Sequence, residues 1–209
     1  MPTDANLLAF IAVATGLVLT PGPNSIYMLS RAITQGPAAG LISLAGVVTG
    51  FFFYMFAAAF GLTAIVFAVP YAYDALRFAG VAYLLWLAID AIRPGGKSPF
   101  QLKNLPLASP CRLYAMGLLT NLLNPKIAIF YLALLPSFID PERSVLTQSL
   151  VLGVIHILIS ITINTGLACA AGSVAGFLAT RPRWLLAQRW IMASMIGVLA
   201  VRMALESRR

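Results

Sequence analysis

The chain has 209 residues, of which 60% are hydrophobic and only 10% charged, and its mean hydropathy is +0.91. That composition excludes a soluble globule with a polar skin and points to an integral membrane protein. The formal charge of +8 is spread between apolar segments rather than clustered on one element, which argues against a nucleic-acid partner and for membrane topology.

In chain order, Met1 to Asn6 carry Asp4 but no Lys or Arg, and the apolar run that follows is longer than a signal h-region. The expectation is a retained first helix rather than a cleaved signal. Apolar segments run from Ala5 to Leu29, Leu41 to Val69, Leu76 to Ile92, Leu113 to Ile139, Val145 to Leu178 and Trp184 to Ala204. At roughly 20 residues per crossing these read as six transmembrane helices, an all-α integral membrane fold with no length left for a soluble domain. Arg77 and Asp90 lie inside the ends of the third segment and Arg189 and Arg202 inside the sixth. The long arginine stems can snorkel to the headgroups, and Asp90 can pair or reach water near a helix end.

The longest polar stretch, Arg93 to Arg112, holds Pro94, Gly95, Gly96, Pro99, Pro106 and Pro110 and reads as a linker. It divides a single transporter domain, 1–209, into half 1 (about 1–93), a linker (about 94–111) and half 2 (about 112–209). Three helices on each side force the second half to enter from the opposite face, giving a 3+3 inverted topology. Thr20 and Asn24 recur as Thr120 and Asn124, and the charges Arg77 and Asp90 recur in place at Arg189 and Arg202, which favours an inverted repeat of the transporter kind. Eight basic residues fall on one side (Arg31; Arg93, Lys97, Lys103, Arg112; Arg181, Arg183, Arg189) and five on the other (Arg77, Arg143, Arg202, Arg208, Arg209). The larger group marks the cytoplasm and places both termini outside.

The first and fourth helices are broken by proline. Thr20-Pro21-Gly22-Pro23-Asn24 removes two backbone donors around a glycine, so carbonyls near Leu17 to Thr20 lose their partners and amides near Asn24 become a new helix N-terminus. Thr120-Asn121-Leu122-Leu123-Asn124-Pro125-Lys126 breaks the fourth in the same way. Within hydrocarbon such groups are costly unless they line protein or water. Lys126 lies 14 residues from both Arg112 and Asp140, about 20 Å of helix from either flank. Its ammonium therefore needs a partner, a wet cavity or an anionic ligand.

These groups suit a zwitterion. A carboxylate fits the new N-terminus at Asn24 and Ser25, with Lys126 as counter-charge, while carbonyls before Pro21 and the oxygens of Asn121 and Asn124 can accept from an ammonium. The expected substrate site is thus Thr20, Pro21, Gly22, Pro23, Asn24, Ser25, Asn121, Asn124, Pro125 and Lys126.

Both motifs resemble the two signatures of amino-acid exporters of the lysine exporter and homoserine/threonine-resistance (LysE/RhtB) type. Chain length, six apolar segments and Tyr83-Leu84-Leu85-Trp86-Leu87 in the third also match, so the resemblance covers essentially the whole chain. It implies secondary efflux of amino acids from the bacterial cytoplasm across the inner membrane, driven by the proton motive force.

Two stripes remain. Gly153, His156, Ser160 and Asn164 stack on one face of the fifth helix, and Ser43, Gly46, Gly50 and Tyr54 on one face of the second. Ser43, Gly50, Tyr54, Ser160 and Asn164 are expected along the cavity, with close helix packing as the alternative for the glycines. His156, whose ordinary pKa lies near neutrality, is a candidate proton carrier, rivalled by Asp74 and Asp90. The spacings Gly46 to Gly50 and Gly172 to Gly176 suit helix association, including a homodimer. Members of the resembled family that export basic amino acids tend to carry carboxylates in the second and fourth helices, where this chain reads Thr49-Gly50-Phe51 and Ile129-Phe130-Tyr131. A neutral substrate such as homoserine, threonine or a small aliphatic amino acid follows.

No cofactor or metal is expected, since His156 is the sole histidine and carboxylates are not clustered. Cys111 and Cys169 have no CxxC spacing and read as buried or interfacial thiols, and neither broken helix carries the cysteine a membrane thiol–disulfide enzyme needs. Besides export of another small solute, the remaining alternative is a scaffold without transport activity.

Overall fold

The first apolar segment and the residues after it form two helices, α1 (Asp4–Leu19) and α2 (Pro23–Gln35), which meet at 51°. The computed structural model describes residues 2, 4–20, 22–68 and 106–171, with single helical positions between 78 and 89 and between 173 and 205. Gly22 is the extended N-cap of α2 (φ −153°, ψ 179°) and Pro23 takes the first helical position, where the missing N–H is no loss. Pro21 lies outside the described residues.

The second segment is one helix, α3 (Pro37–Ala68), entered through Gly36 at φ 91°. The fourth begins as α4 (Pro110–Leu122), capped by Ser109, whose hydroxyl accepts from the Arg112 amide at 3.4 Å. It breaks at Leu123 and Asn124 and resumes at 50° as α5 (Pro125–Ile129), which loosens into a π turn (Phe130–Leu134) and closes in a 3₁₀ turn (Leu135–Phe138). The fifth is α6 (Val145–Cys169), capped by Ser144. Gln148 of its first turn ties down the preceding loop through two bonds with the Asp140 backbone, at 3.0 and 2.9 Å.

Two helices, α3 over Pro37–Gly61 and α6, are each long and apolar enough to cross a bilayer. The two bent pairs also pass when each counts as one broken span. All assigned secondary structure among the described residues is helical, as an all-α membrane fold requires. The isolated positions in the third and sixth segments, Phe78 and Val198 among them, are helical too. Asp74, Arg77, Asp90, Arg189, Arg202, most of the linker and the Gly172 to Gly176 pair lie outside the described residues.

The core sits where α1, α3, α6 and the π turn converge. Phe10 of α1 packs on Phe130 and Phe138 at centroid distances of 5.8 and 5.4 Å. Against α4, helix α3 makes a backbone-close seam: a Cβ on Gly46 would overlap the Tyr114 carbonyl, and one on Gly117 the Ser43 carbonyl. The Gly46 to Gly50 face is therefore consumed within the chain, because two helices can approach so closely only where no side chain intervenes. That removes this face from the expected dimer surface. Cys111 and Cys169 are both exposed on the protein surface.

At the end of α2 the Arg31 guanidinium donates to the Pro106 carbonyl at 2.8 Å, and Gln35 exchanges two 3.0 Å bonds with the Ala108 backbone. The stretch before α4 is thereby docked on the end of α2.

Candidate functional site

The two breaks face each other, and Lys126 bridges them. In an unbroken helix the Leu17 carbonyl would accept from residue 21, which is a proline and has no N–H. The Lys126 ammonium takes that place, donating to the Leu17 carbonyl at 2.8 Å and the Thr20 carbonyl at 2.7 Å. Lys126 is only 5% exposed, so a charge this deep depends on such bonds. Gly22 lies against its stem, where a Cβ would meet Cδ at 3.4 Å.

The second break is healed from nearby. Pro125 frees the Asn121 carbonyl, which accepts instead from the Asn124 amide at 3.0 Å. Asn124 caps α5, its Oδ1 accepting from the Lys126 amide at 3.1 Å. That diverts the Lys126 N–H from the Leu122 carbonyl, and the Tyr54 hydroxyl of α3 fills the vacancy at 2.7 Å. Asn124 Nδ2 also donates to Asn24 Oδ1 at 3.0 Å, joining the two breaks side chain to side chain.

Around the bridge lies a small, partly open cavity lined by residues of both breaks and of α3 and α6. Leu17 and Val18 of α1, Gly22, and Asn24, Ser25 and Met28 of α2 form one wall. Asn124, Lys126 and Ile127 form its floor, Leu44, Val47 and Phe51 of α3 an apolar flank, and His156, Ser160 and Asn164 of α6 the remaining side. Among the described residues no Asp or Glu lines it. The start of α2 has no side-chain cap, which leaves its first amides and the positive end of the helix dipole to the cavity. On α6 the Asn164 amide nitrogen bonds back to the Ser160 carbonyl and hydroxyl at 2.9 and 3.1 Å, so Asn164 Oδ1 is the end of that amide turned away from its own helix.

Of the residues expected at the substrate site, Gly22, Asn24, Ser25, Asn124 and Lys126 line this cavity, as do His156, Ser160 and Asn164. Thr20 contributes its carbonyl to Lys126 while its hydroxyl bonds to the Gly16 carbonyl at 2.8 Å. Pro23 and Pro125 occupy first helical positions beside it. Asn121 lies instead in the α3–α4 seam against Gly50, fully buried and with neither amide atom bonded.

Three expectations change. Of the carbonyls before Pro21, those of Leu17 and Thr20 are held by Lys126 rather than left free for a ligand ammonium. Asn124 Oδ1 is likewise engaged as a cap. Ser43, Gly50 and Tyr54 do not line the cavity: Ser43 and Gly50 face α4, and Tyr54 caps the Leu122 carbonyl. The cavity face of α3 is the adjacent stripe, Leu44, Val47 and Phe51, at spacings of three and four. Its apolar periodicity was present in the sequence but overshadowed by the small and polar stripe one residue before it.

Comparison with known proteins agrees with this architecture. The homoserine/homoserine lactone efflux protein of Salmonella typhimurium is 33% identical over 171 residues, covering 81% of this chain and 82% of that protein. The leucine efflux protein of Enterobacter sp. is 30% identical over 186 residues, 85% of each chain, and the uncharacterized membrane protein YrhP of Bacillus subtilis is 28% identical over 166 residues, 75% and 78%. No solved structure matches the chain. The LysE type translocator family matches residues 15–207, and the chain belongs to that family.

Proposed function

We propose that the chain is a secondary active exporter of small neutral amino acids of the homoserine or threonine kind, carrying them out of the bacterial cytoplasm on the proton motive force. The observation that carries this reading is the Lys126 ammonium, held at the junction of two broken helices in a cavity that no carboxylate of the described residues lines. A substrate carboxylate fits between Lys126, which has a third N–H to give, and the uncapped amides of α2. Its ammonium finds acceptors on the facing wall, at Ser160 Oγ and Asn164 Oδ1, in place of the carbonyls that Lys126 has taken. A basic side chain would meet Lys126 as a like charge with nothing to offset it, whereas Leu44, Val47, Met28 and Ile127 accept a short aliphatic or hydroxylated one.

The names of the relatives, homoserine and leucine efflux proteins, support the same class of solute. The near-equal bends of 51° and 50° support the 3+3 inverted repeat, and the eight-to-five division of basic residues supports both termini on the periplasmic side of the inner membrane.

Proteoliposomes with an imposed proton gradient test the reading. Labelled homoserine, threonine or leucine moves against its own gradient, lysine does not, and an uncoupler stops the flux. A protein that moves none of a panel of amino acids under these conditions is not an exporter of this class, and the scaffold alternative then stands.

A further inference from the structure

His156 is completely buried on α6, its ring lining the cavity and wedged between Phe51 and Phe130 at centroid distances of 4.9 and 4.4 Å. Its Nδ1 lies 3.0 Å from the hydroxyl of Tyr131, which the π turn brings against it and which is itself fully buried. Nε2 has no partner among the described residues. The Tyr131 hydroxyl has His156 as its one bonding partner there.

We infer that Tyr131 is a positioning residue that fixes His156 in the tautomer with its proton on Nε2, making that N–H a carboxylate donor of the cavity beside Lys126. The inference rests on the amino-acid reading of the same cavity. The ring and hydroxyl have three joint arrangements. If Tyr131 donates to a bare Nδ1, the Nε2 proton alone lacks a partner. If Nδ1–H donates to the tyrosine oxygen, the phenolic proton and the Nε2 lone pair are both stranded. A cationic ring strands the phenolic proton and the Nε2 proton. A phenolic O–H is the better donor and an imidazole nitrogen the better acceptor of this pair, and a buried cation without a counter-charge is costlier still, so the first arrangement is the one the site holds.

The orphan is the useful part. Nδ1 is taken by Tyr131, which does not line the cavity, so Nε2 is the polar atom the ring has left for a ligand. An N–H awaiting a partner in the same cavity as an ammonium recognises an anionic oxygen, and a bound carboxylate satisfies it. A ring fixed this way presents no lone pair to the cavity. The role of His156 thereby shifts from taking up a proton to holding the substrate.

Because His156 is the chain's sole histidine, ¹⁵N-histidine labelling of the whole protein in lipid nanodiscs gives one pair of imidazole signals. The expected pattern is a bare, imine-type Nδ1 and a proton-bearing Nε2. Saturating L-homoserine moves the Nε2 signal and leaves Nδ1 bare. Tyr131→Phe, which keeps the ring and its packing, shifts the pattern toward Nδ1–H and raises the half-saturating homoserine concentration about tenfold with little change in maximal rate. A protonated Nδ1 in the wild-type protein, or an unchanged nitrogen pattern in Tyr131→Phe, overturns the inference. So does an Nε2 signal indifferent to homoserine in a protein that exports it. A protein that exports no amino acid overturns the functional reading instead, and the two nitrogen patterns then decide the tautomer by themselves.

Discussion

The two proline breaks bend their spans almost equally, by 51° and 50°, yet they are healed by opposite means. The second is mended by neutral caps, Asn124 at the start of α5 and the Tyr54 hydroxyl of α3 on the Leu122 carbonyl. The first is mended from more than a hundred residues away, by the Lys126 ammonium that the second break delivers. One break is thus a finished mount and the other is a socket, and the ammonium between them, with one of its three N–H groups unused, is what a solute would find. Two breaks of nearly equal bend need not carry equal parts of a site. Among the described residues the buried charge is held by backbone carbonyls rather than by a carboxylate, their dipoles doing the work of a counter-ion.

The largest effect should come from cutting that bridge. Lys126→Met strands the Thr20 carbonyl, leaves the Leu17 carbonyl with the Thr20 amide alone and deletes the anion site, so efflux of a neutral amino acid falls by about 100-fold or more, equivalent to about 3 kcal/mol. Thermal unfolding in detergent should also show a loss of about 2–4 kcal/mol; export at the unmutated rate would remove Lys126 from the site. Disturbing the mount comes next. Gly46→Ala drives a methyl into the Tyr114 carbonyl and should lower stability by about 1–3 kcal/mol, visible as an earlier unfolding midpoint with the cavity residues intact.

Tyr54→Phe leaves the Leu122 carbonyl open at a cost of about 1–2 kcal/mol. Combined with Lys126→Met it reports whether the breaks are coupled: additive losses mean two independent repairs, and a shortfall means one shared joint. A smaller change follows Asn164→Ala, which removes an acceptor for the substrate ammonium. The half-saturating concentration should rise about fivefold, or about 1 kcal/mol, with the maximal rate preserved; an unchanged value would move the ammonium elsewhere. Thr49→Val, whose hydroxyl meets Tyr114 on an exposed face, should alter stability by less than about 0.5 kcal/mol and leave flux as it was.

The primary structure by itself determined the solvent, the helices and the places where they break. Apolar runs of membrane length permit little else in lipid, and proline cannot donate a helix bond wherever it sits. It also determined that Lys126 would be stranded, because depth along a helix is simple arithmetic. Only the tertiary structure decided what the stranded groups meet. The pairing of Lys126 with Leu17 and Thr20, and of Tyr131 with His156, depends on how helices distant in sequence rotate against one another. So does the division of α3 into a packing stripe at Ser43, Gly46 and Gly50 and a cavity stripe at Leu44, Val47 and Phe51. One residue along a helix is a turn of about 100°, and small or polar side chains suit a close seam as well as a wet cavity. Periodicity marks such a stripe, and packing chooses which way it faces.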